Sequence, residues 1–217
     1  MPVALDNRSA ADLHRHRMLY KNLSIAEIDA DRAAVKTALR EAGISTNVLS
    51  AIETRAMRTG RKVTGPHATN RDSRWSRPTD HPQYGTEFDC KVIAVKLFAL
   101  VFCFDNAPLL AEPLRSRLEQ HYLGHPIEPG RHRDSLLLEQ FDFNDLAQEG
   151  LEPVHGHSSF HMGHEDPTQA PKHTPSNITW RTKRSNLIQG DMTLREARIY
   201  FVKLIARYFE LGELDVH

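Results

Sequence analysis

The sequence predicts an α+β fold, in which a mainly helical N-terminal region precedes a small β-β-α unit and a terminal amphipathic helix. Three patterns predict it. Helix-start signals and apolar runs occupy the first 127 residues, two short strand-like segments lie near residues 160 and 180, and an apolar stripe at helical spacing follows residue 193. We therefore divide the chain into a helical region, 1–127, and a second region, 128–217.

The N-terminal region carries distinct helix boundaries. Ser24 and Glu27 have the spacing of a capping box, which begins one helix, and Ser45 or Thr46 begins a second. We expect two further helices in the apolar stretches of this region, at residues 88–103 and 109–123.

The β-β-α unit lies in the second region. Residues 158–164 and 177–180 have the composition of two short strands, and the loop between them is rich in proline, lysine and threonine. A polar segment that ends at Gly190 is typical of a short helix. The unit places His164 at the end of the first strand, Asn177 at the start of the second strand and Asn186 on the helix.

These three side chains suit the hydrolysis of a phosphodiester. That reaction needs a base that deprotonates water and a divalent cation that neutralises charge on the phosphate. Histidine can be the base because its unperturbed pKa lies near neutrality. His164 is therefore the candidate base of a nuclease.

The order of residues in this segment is specific. A histidine is closely followed by proline, an asparagine precedes an apolar residue on the second strand, and an asparagine on the helix precedes Gln-Gly; these residues are His164, Pro167, Asn177, Ile178, Asn186, Gln189 and Gly190. In this order, residues 161–193 resemble the HNH branch of the His-Me finger nucleases. The resemblance implies a metal-dependent endonuclease, with His164 as the general base, Asn177 as the residue that holds the loop and orients the base, and Asn186 as a metal ligand.

The chain departs from this family at Gly163. Many members place an aspartate there, immediately before the base, and that aspartate binds the metal. The missing ligand could come from His161, Glu165 or Asp166. Oxygen ligands would suit magnesium, whereas His161 would favour manganese, nickel or zinc, so the expected cofactor is a divalent cation of either kind.

A histidine-based structural zinc site is the rival interpretation of the same segment, and a solvated loop without metal is a third. Five histidines fall close together, at His155, His157, His161, His164 and His173. A structural zinc site would not require Asn177 or Asn186, so the two asparagines favour the nuclease interpretation. The zinc held by two cysteine pairs in many HNH nucleases is ruled out because the chain has only two cysteines. Packing must therefore stabilise the β-β-α unit of residues 161–193, which we call the finger.

Basic residues beside the finger predict contacts with a nucleic acid. Three of them lie on or just before the predicted helix, namely Arg181, Lys183 and Arg184. A second group lies in the basic stretch 55–77, where Arg71 and Arg74 could follow a phosphate backbone while Trp75 stacks on a base or enters a groove. A flexible, solvated linker is the alternative interpretation of this stretch.

Two further segments surround the finger. Leu136, Phe141, Phe143 and Leu146 indicate a strand or hairpin that packs beneath it. The terminal helix has an apolar stripe that should pack on the finger or on the N-terminal helices, and it could instead form the face of a homodimer.

Composition adds broad limits. The chain has 217 residues, and 28 basic residues balance 28 acidic ones, so DNA affinity must come from local patches rather than from net charge. The apolar run 88–104 is shorter than the ~20 residues of a membrane span. The N-terminus shows no apolar signal core, and two cysteines provide no disulfide framework, so we expect a cytoplasmic protein without membrane contact.

The sequence therefore predicts a one-metal HNH endonuclease that acts on double-stranded DNA and serves in restriction or phage defence. Two other functions stay open. One is a non-catalytic DNA-binding regulator with a histidine-rich structural metal, and the other is an RNA-cutting, toxin-like nuclease.

Overall fold

A computed structural model describes residues 18–60, 71–151 and 158–214. Its helices are α1 (Ile25–Glu41), α2 (Thr46–Met57), α3 (Glu87–Val101), α4 (Leu114–Leu118), α5 (Phe143–Leu151), α6 (Lys183–Gln189) and α7 (Leu194–Glu210), and its strands are β1 (Phe160–His164) and β2 (Ile178–Thr182). A short 3₁₀ turn lies at Arg74–Ser76, and a π-helical turn, Glu119–Leu123, extends α4. The predicted α+β class, mainly helical with a small β-β-α unit, is confirmed.

The N-terminal helices begin where side-chain caps were predicted. The hydroxyl of Ser24 accepts a hydrogen bond from the backbone N–H of Glu27, and the Glu27 carboxylate accepts one from the N–H of Ser24, which completes a capping box. Ser45 caps α2 in the same manner through the N–H of Val48. Both caps satisfy N–H groups that have no partner inside the helix.

The central helix of the fold is α3, and it positions the finger. Eleven of its fifteen residues are buried, so it contacts other elements all around its circumference. Lys96 on this helix donates hydrogen bonds to the carbonyl oxygens of Pro175 and Ile178, at 2.7 and 3.0 Å. In the part of the chain that the structure describes, no helix is long and apolar enough to cross a membrane.

The two strands pair in antiparallel register, with Phe160 opposite Thr182 and His164 opposite Ile178. Because side chains alternate along a strand, Phe160, Ile178 and Trp180 lie on the face that packs against α3. The Trp180 indole N–H donates to the carbonyl of Leu97 at 2.9 Å. The apolar core is therefore continuous from α1 to the sheet, while the functional division near residue 127 stays a prediction.

The segment predicted as a strand or hairpin is wrong in its second half, which forms α5. Asp142 explains the difference, since its carboxylate accepts hydrogen bonds from the N–H groups of Asn144 and Asp145 at 2.7 and 3.3 Å and so caps a helix. Phe143 and Leu146 then lie three residues apart on one helical face, and both are buried.

The terminal helix α7 has the predicted position, but most of its apolar stripe is not packed. Leu194 and Ala197 are its buried residues, and they join a small cluster with Leu136. Beyond the second turn the stripe is open, and the Ile205 and Tyr208 side chains are exposed. The expected packing of the whole stripe is therefore wrong for the part of the chain that the structure describes, because there the buried residues of α7 lie in its N-terminal part.

Candidate active site

The predicted base, His164, is the last residue of β1 and shares a sheet face with Phe160 and Met162. Its side chain is half-buried. Burial is the main cause that lowers the pKa of His164 to about 4, and the positive charges of Lys172 and Arg74 lower it further. The imidazole is therefore neutral at pH 7 and can accept a proton.

Asn177 holds the loop that follows His164. Its amide nitrogen donates to the carbonyls of Asp166 and Lys172, both at 2.8 Å, and its amide oxygen accepts from the N–H of Asp166 at 2.7 Å. The Asn177 carbonyl also accepts from the N–H of Glu165 at 2.9 Å. The side chain is buried, so these bonds fix the backbone directly beyond His164.

Asn186 lies on α6, which crosses the other face of the sheet. Thr182 caps this helix by accepting a hydrogen bond from the N–H of Ser185 at 3.1 Å. The approach of α6 to β1 is very close at Gly163, where a Cβ atom would lie 2.7 Å from Oδ1 of Asn186 and 2.5 Å from Cγ of Arg181. The position has no room for a side chain, and the Asn186 amide lies against the residue that precedes His164.

Arg181 was predicted to contact phosphate, and the structure corrects this assignment. The side chain is fully buried, and its Nε lies 3.3 Å from the Asp134 carboxylate, which is also fully buried. The guanidinium also donates to Ser185 and Gln189 on α6. A guanidinium enclosed in this way cannot reach DNA, and its role is to join β2 to α6.

The candidate replacements for the missing metal ligand are engaged elsewhere. The Glu165 carboxylate accepts a hydrogen bond from Ser135 at 2.6 Å, and the Asp166 carboxylate accepts from the N–H of Thr168 at 2.8 Å. The pKa of His161 is lowered by burial first and then by the positive charges of Arg55 and Lys183. This cationic neighbourhood opposes a second cation at His161.

Asn186 therefore stays the candidate metal ligand that the resemblance implied. Among residues 18–60, 71–151 and 158–214, no group of three or more histidine, cysteine or acidic residues is arranged to hold a metal ion. Magnesium in proteins often keeps several waters and uses one or two side chains together with substrate phosphates. A single amide oxygen at Asn186 would leave most of the coordination sphere of such a cation to waters and to a phosphate.

The described histidines of the histidine-rich tract do not gather around one metal position. His173 is buried, and its Nε2–H donates to the carbonyl of Ala56 at 2.6 Å, which attaches the finger loop to α2. His155 and His157 lie outside the described residues. In the described part, His161, His164 and His173 do not form the structural zinc site of the rival interpretation.

The predicted DNA-contacting residues fall into two groups with different surroundings. Lys183 and Arg184 border a groove of about 820 Å³ whose lining includes four acids, Glu139, Asp142, Asp145 and Glu149. Arg71 and Arg74 line a smaller pocket of about 260 Å³ at β1, together with Arg55 and Arg58. Trp75 lies in the 3₁₀ turn next to this pocket.

Arg55 and Arg58 were not assigned to the site from the sequence, although both belong to the basic stretch noted there. Their spacing of three residues at the end of α2 is a usable signal, because it places both on one side of a helix end.

Comparison with known proteins gives no matching family and a partial structural similarity. No protein-family model and no curated protein matches the chain. A solved structure of a type II restriction endonuclease is similar to part of it, with 17% sequence identity and a TM-score of 0.49. The similarity covers 59% of this chain and 55% of that chain, so this chain spans about half the length of that structure.

Proposed function

We propose that this chain is a metal-dependent DNA endonuclease of the HNH type. One arrangement carries the proposal: a neutral His164 ends β1, Asn177 fixes the backbone beyond it, and the amide of Asn186 lies against the residue before it. The base and the candidate metal ligand thus lie on the two sides of one strand end, where a phosphate can approach from solvent.

In the proposed reaction, the imidazole of His164 takes a proton from a water molecule and becomes an imidazolium. The resulting hydroxide attacks phosphorus in line and the bond to the 3′-oxygen breaks. The leaving 3′-oxygen takes a proton from solvent water, so the products carry 5′-phosphate and 3′-hydroxyl ends. Asn186 would hold a divalent cation, which would neutralise phosphate charge. Asn177 keeps the loop from moving, so that the base retains its position.

The pKa of His164 is suited to this role only in part. A base is most efficient when its pKa lies near the working pH, and burial holds that of His164 at about 4. A bound phosphate adds negative charge beside a site that Lys172 and Arg74 make positive. Substrate binding therefore raises the pKa of His164 toward the range in which it works best.

The proposed substrate is double-stranded DNA, with Arg184 and Lys183 as flanking contacts, and the proposed setting is restriction or phage defence in the cytoplasm. The exposed apolar stripe of α7 is the proposed face of a homodimer. A dimer would place one active site on each strand of the DNA duplex.

Cleavage of plasmid and phage DNA by the purified chain tests this function, with magnesium, manganese, nickel or EDTA. We expect metal-dependent cutting that falls by about 10²–10⁴-fold in His164→Ala and is unchanged in His121→Ala, a matched substitution in the π-helical turn that extends α4. Thermal melting checks that both variants fold. DNA binding without cutting under every metal would support the regulator instead, and cutting of RNA alone would support the toxin-like nuclease.

A further inference from the structure

Four arginines surround one concavity at the outer edge of β1. Arg55 and Arg58 reach it from the end of α2, and Arg71 and Arg74 reach it from the segment that leads into the 3₁₀ turn. His161 and Met162 of β1 form the side nearest the finger. The four are spread over twenty positions of the chain, and folding brings them to one place.

Backbone carbonyls, rather than acids, hold three of these guanidinium groups. Arg55 donates to the carbonyl of Phe160 at 3.1 Å, and Arg58 donates to that of Arg71 at 3.0 Å. Arg74 donates to the carbonyls of Arg55 and Gln83, at 3.1 and 3.2 Å. A carbonyl oxygen orients a guanidinium without cancelling its charge, so the pocket keeps its positive charge in a fixed geometry.

The described lining of this pocket contains no acidic residue. Its arginines differ in this respect from others in the chain. Arg77, nearby in sequence, pairs with Asp72, and Arg32 pairs with Glu53. Within the described residues, by contrast, none of the four pocket arginines forms an ion pair with a carboxylate. Their concentrated positive charge is therefore left for a ligand.

The electrostatic cost of holding these arginines partly buried and close together also indicates that the pocket binds an anion. Burial lowers the pKa of Arg55; Glu149 opposes this shift, and the positive charge of Arg71 adds to it. Burial also lowers the pKa of Arg74, and the Nε of that side chain is buried without a hydrogen-bond partner. An anion in the pocket would relieve both the repulsion and the desolvation, and a guanidinium fork matches phosphate oxygens.

Size and position limit the ligand. A volume of about 260 Å³ equals that of roughly nine water molecules at ~30 Å³ each, which suits one phosphate group with some water. His161 precedes His164 by three residues, a distance of about 10 Å along a strand. The phosphate held here is therefore near the cut one but distinct from it.

We propose that the pocket of Arg55, Arg58, Arg71 and Arg74 binds a single backbone phosphate of the DNA and thereby sets which neighbouring phosphate reaches His164. This proposal deepens the proposed function and rests on it for its biological meaning. The groove beside Lys183 and Arg184 has four acids in its lining, so we expect these two residues to make weaker flanking contacts and the arginine pocket to make the firmer phosphate contact.

DNA binding in EDTA tests the proposal without any need for cleavage. Arg71→Ala is the first variant, since the Arg71 side chain makes no hydrogen bond to a described residue that folding would lose. We expect weaker binding to a duplex and a slope of log K against log salt that is smaller by about 1, the change for one lost phosphate contact. Arg58→Ala should do the same, whereas Arg115→Ala, an equal loss of charge on α4, should leave the slope unchanged.

Thermal unfolding with inorganic phosphate supplies the second readout. Phosphate should raise the melting temperature of wild type and of Arg115→Ala, but not that of Arg71→Ala. Stabilisation by phosphate with an unchanged DNA slope in Arg71→Ala would assign the pocket to free phosphate and overturn the proposal, and so would the absence of both effects. If both effects appear in a protein that never cuts DNA, the pocket stands and the nuclease fails.

Discussion

The Nε of Arg181 lies 3.3 Å from the carboxylate of Asp134, and both side chains are completely buried beneath α6. Asp134 also accepts hydrogen bonds from the backbone N–H groups of Leu136, Leu137 and Thr182, all at 2.8 Å. This one carboxylate joins the segment before α5 to β2, and Arg181 extends the connection to α6. The pair supplies an internal brace in a finger that has no cysteine pairs for zinc.

Removal of Asp134 should therefore destabilise the whole fold. In Asp134→Ala the Arg181 guanidinium stays buried without its counter-charge, and we expect the free energy of unfolding to fall by about 3–5 kcal/mol. Urea titration followed by circular dichroism measures it. Arg184→Ala is the control, because that side chain is 75% exposed and should change stability by less than about 0.5 kcal/mol. Equal stability of the two variants would show that the brace is unimportant.

An aspartate at position 163, where many HNH nucleases carry one, should harm the candidate site. In Gly163→Asp, the new Cβ would lie 2.7 Å from Oδ1 of Asn186 and 2.5 Å from Cγ of Arg181, so β1 and α6 must separate. We expect a loss of about 1–3 kcal/mol in stability from this overpacking and slower metal-dependent cutting.

Gly60→Ala is the control for stability, because among the described residues its Cβ would meet only the end of the Gln83 side chain, at 3.5 Å. Thermal melting compares the two variants, and a cleavage time course compares Gly163→Asp with wild type. Full stability together with tighter metal binding in Gly163→Asp would contradict the close approach of α6 to β1.

The features that the sequence predicted correctly depend on neighbours along the chain. The Ser24 and Ser45 caps and the C-terminal end of β1 follow from contacts within a few residues, and such contacts are visible in local patterns. The loop-holding role of Asn177 was implied by the resemblance and not by a local pattern, and its side chain does bond to the loop.

The features that the sequence did not predict depend on distant partners. Arg181 follows Trp180 on β2, and the sequence predicted it on the surface as a basic residue. Its partner Asp134 lies 47 positions earlier, so the local sequence contains no sign of the buried ion pair. The Arg55 pocket likewise needs two segments that only folding brings together. In α5, an aspartate cap outweighed the strand propensity of the aromatic residues.

Loss of the Asn177 amide should loosen the loop that follows the base. Asn177→Ala removes three hydrogen bonds and leaves the N–H of Asp166 and the carbonyl of Lys172 without a partner among the described residues, while the Asp166 carbonyl keeps the N–H of Gln169 at 3.5 Å. We expect stability to fall by about 1–3 kcal/mol and kcat to fall with little change in DNA affinity. Limited proteolysis should cut the variant within 166–172.

Asn47→Ala, on the exposed side of α2, is the control for this substitution and should behave as wild type. If Asn177→Ala keeps its kcat and resists the protease, the amide does not position the base.

Acid should unfold this protein through its buried histidines. Burial is the main cause that lowers the pKa of His132 and His164 to about 4 and that of His173 to about 3, whereas an unfolded histidine has a pKa of about 6.5. Below that pH the unfolded chain binds protons that the folded chain does not. The free energy of unfolding should therefore fall as the pH drops from about 6.5 toward 4, by up to about 1.4 kcal/mol per pH unit for each histidine.

His173→Gln isolates one of these contributions, because glutamine can still donate to the Ala56 carbonyl but does not titrate. Urea titrations between pH 7.5 and 4.5 should show a shallower pH dependence in this variant, by about one proton. His121→Gln is the control, because His121 is not among the groups that shift the pKa of His132, His164 or His173, and it should keep the slope of wild type. A slope in His173→Gln equal to that of wild type would mean that His173 is protonated in the folded protein, and its bond to Ala56 would then be made by an imidazolium.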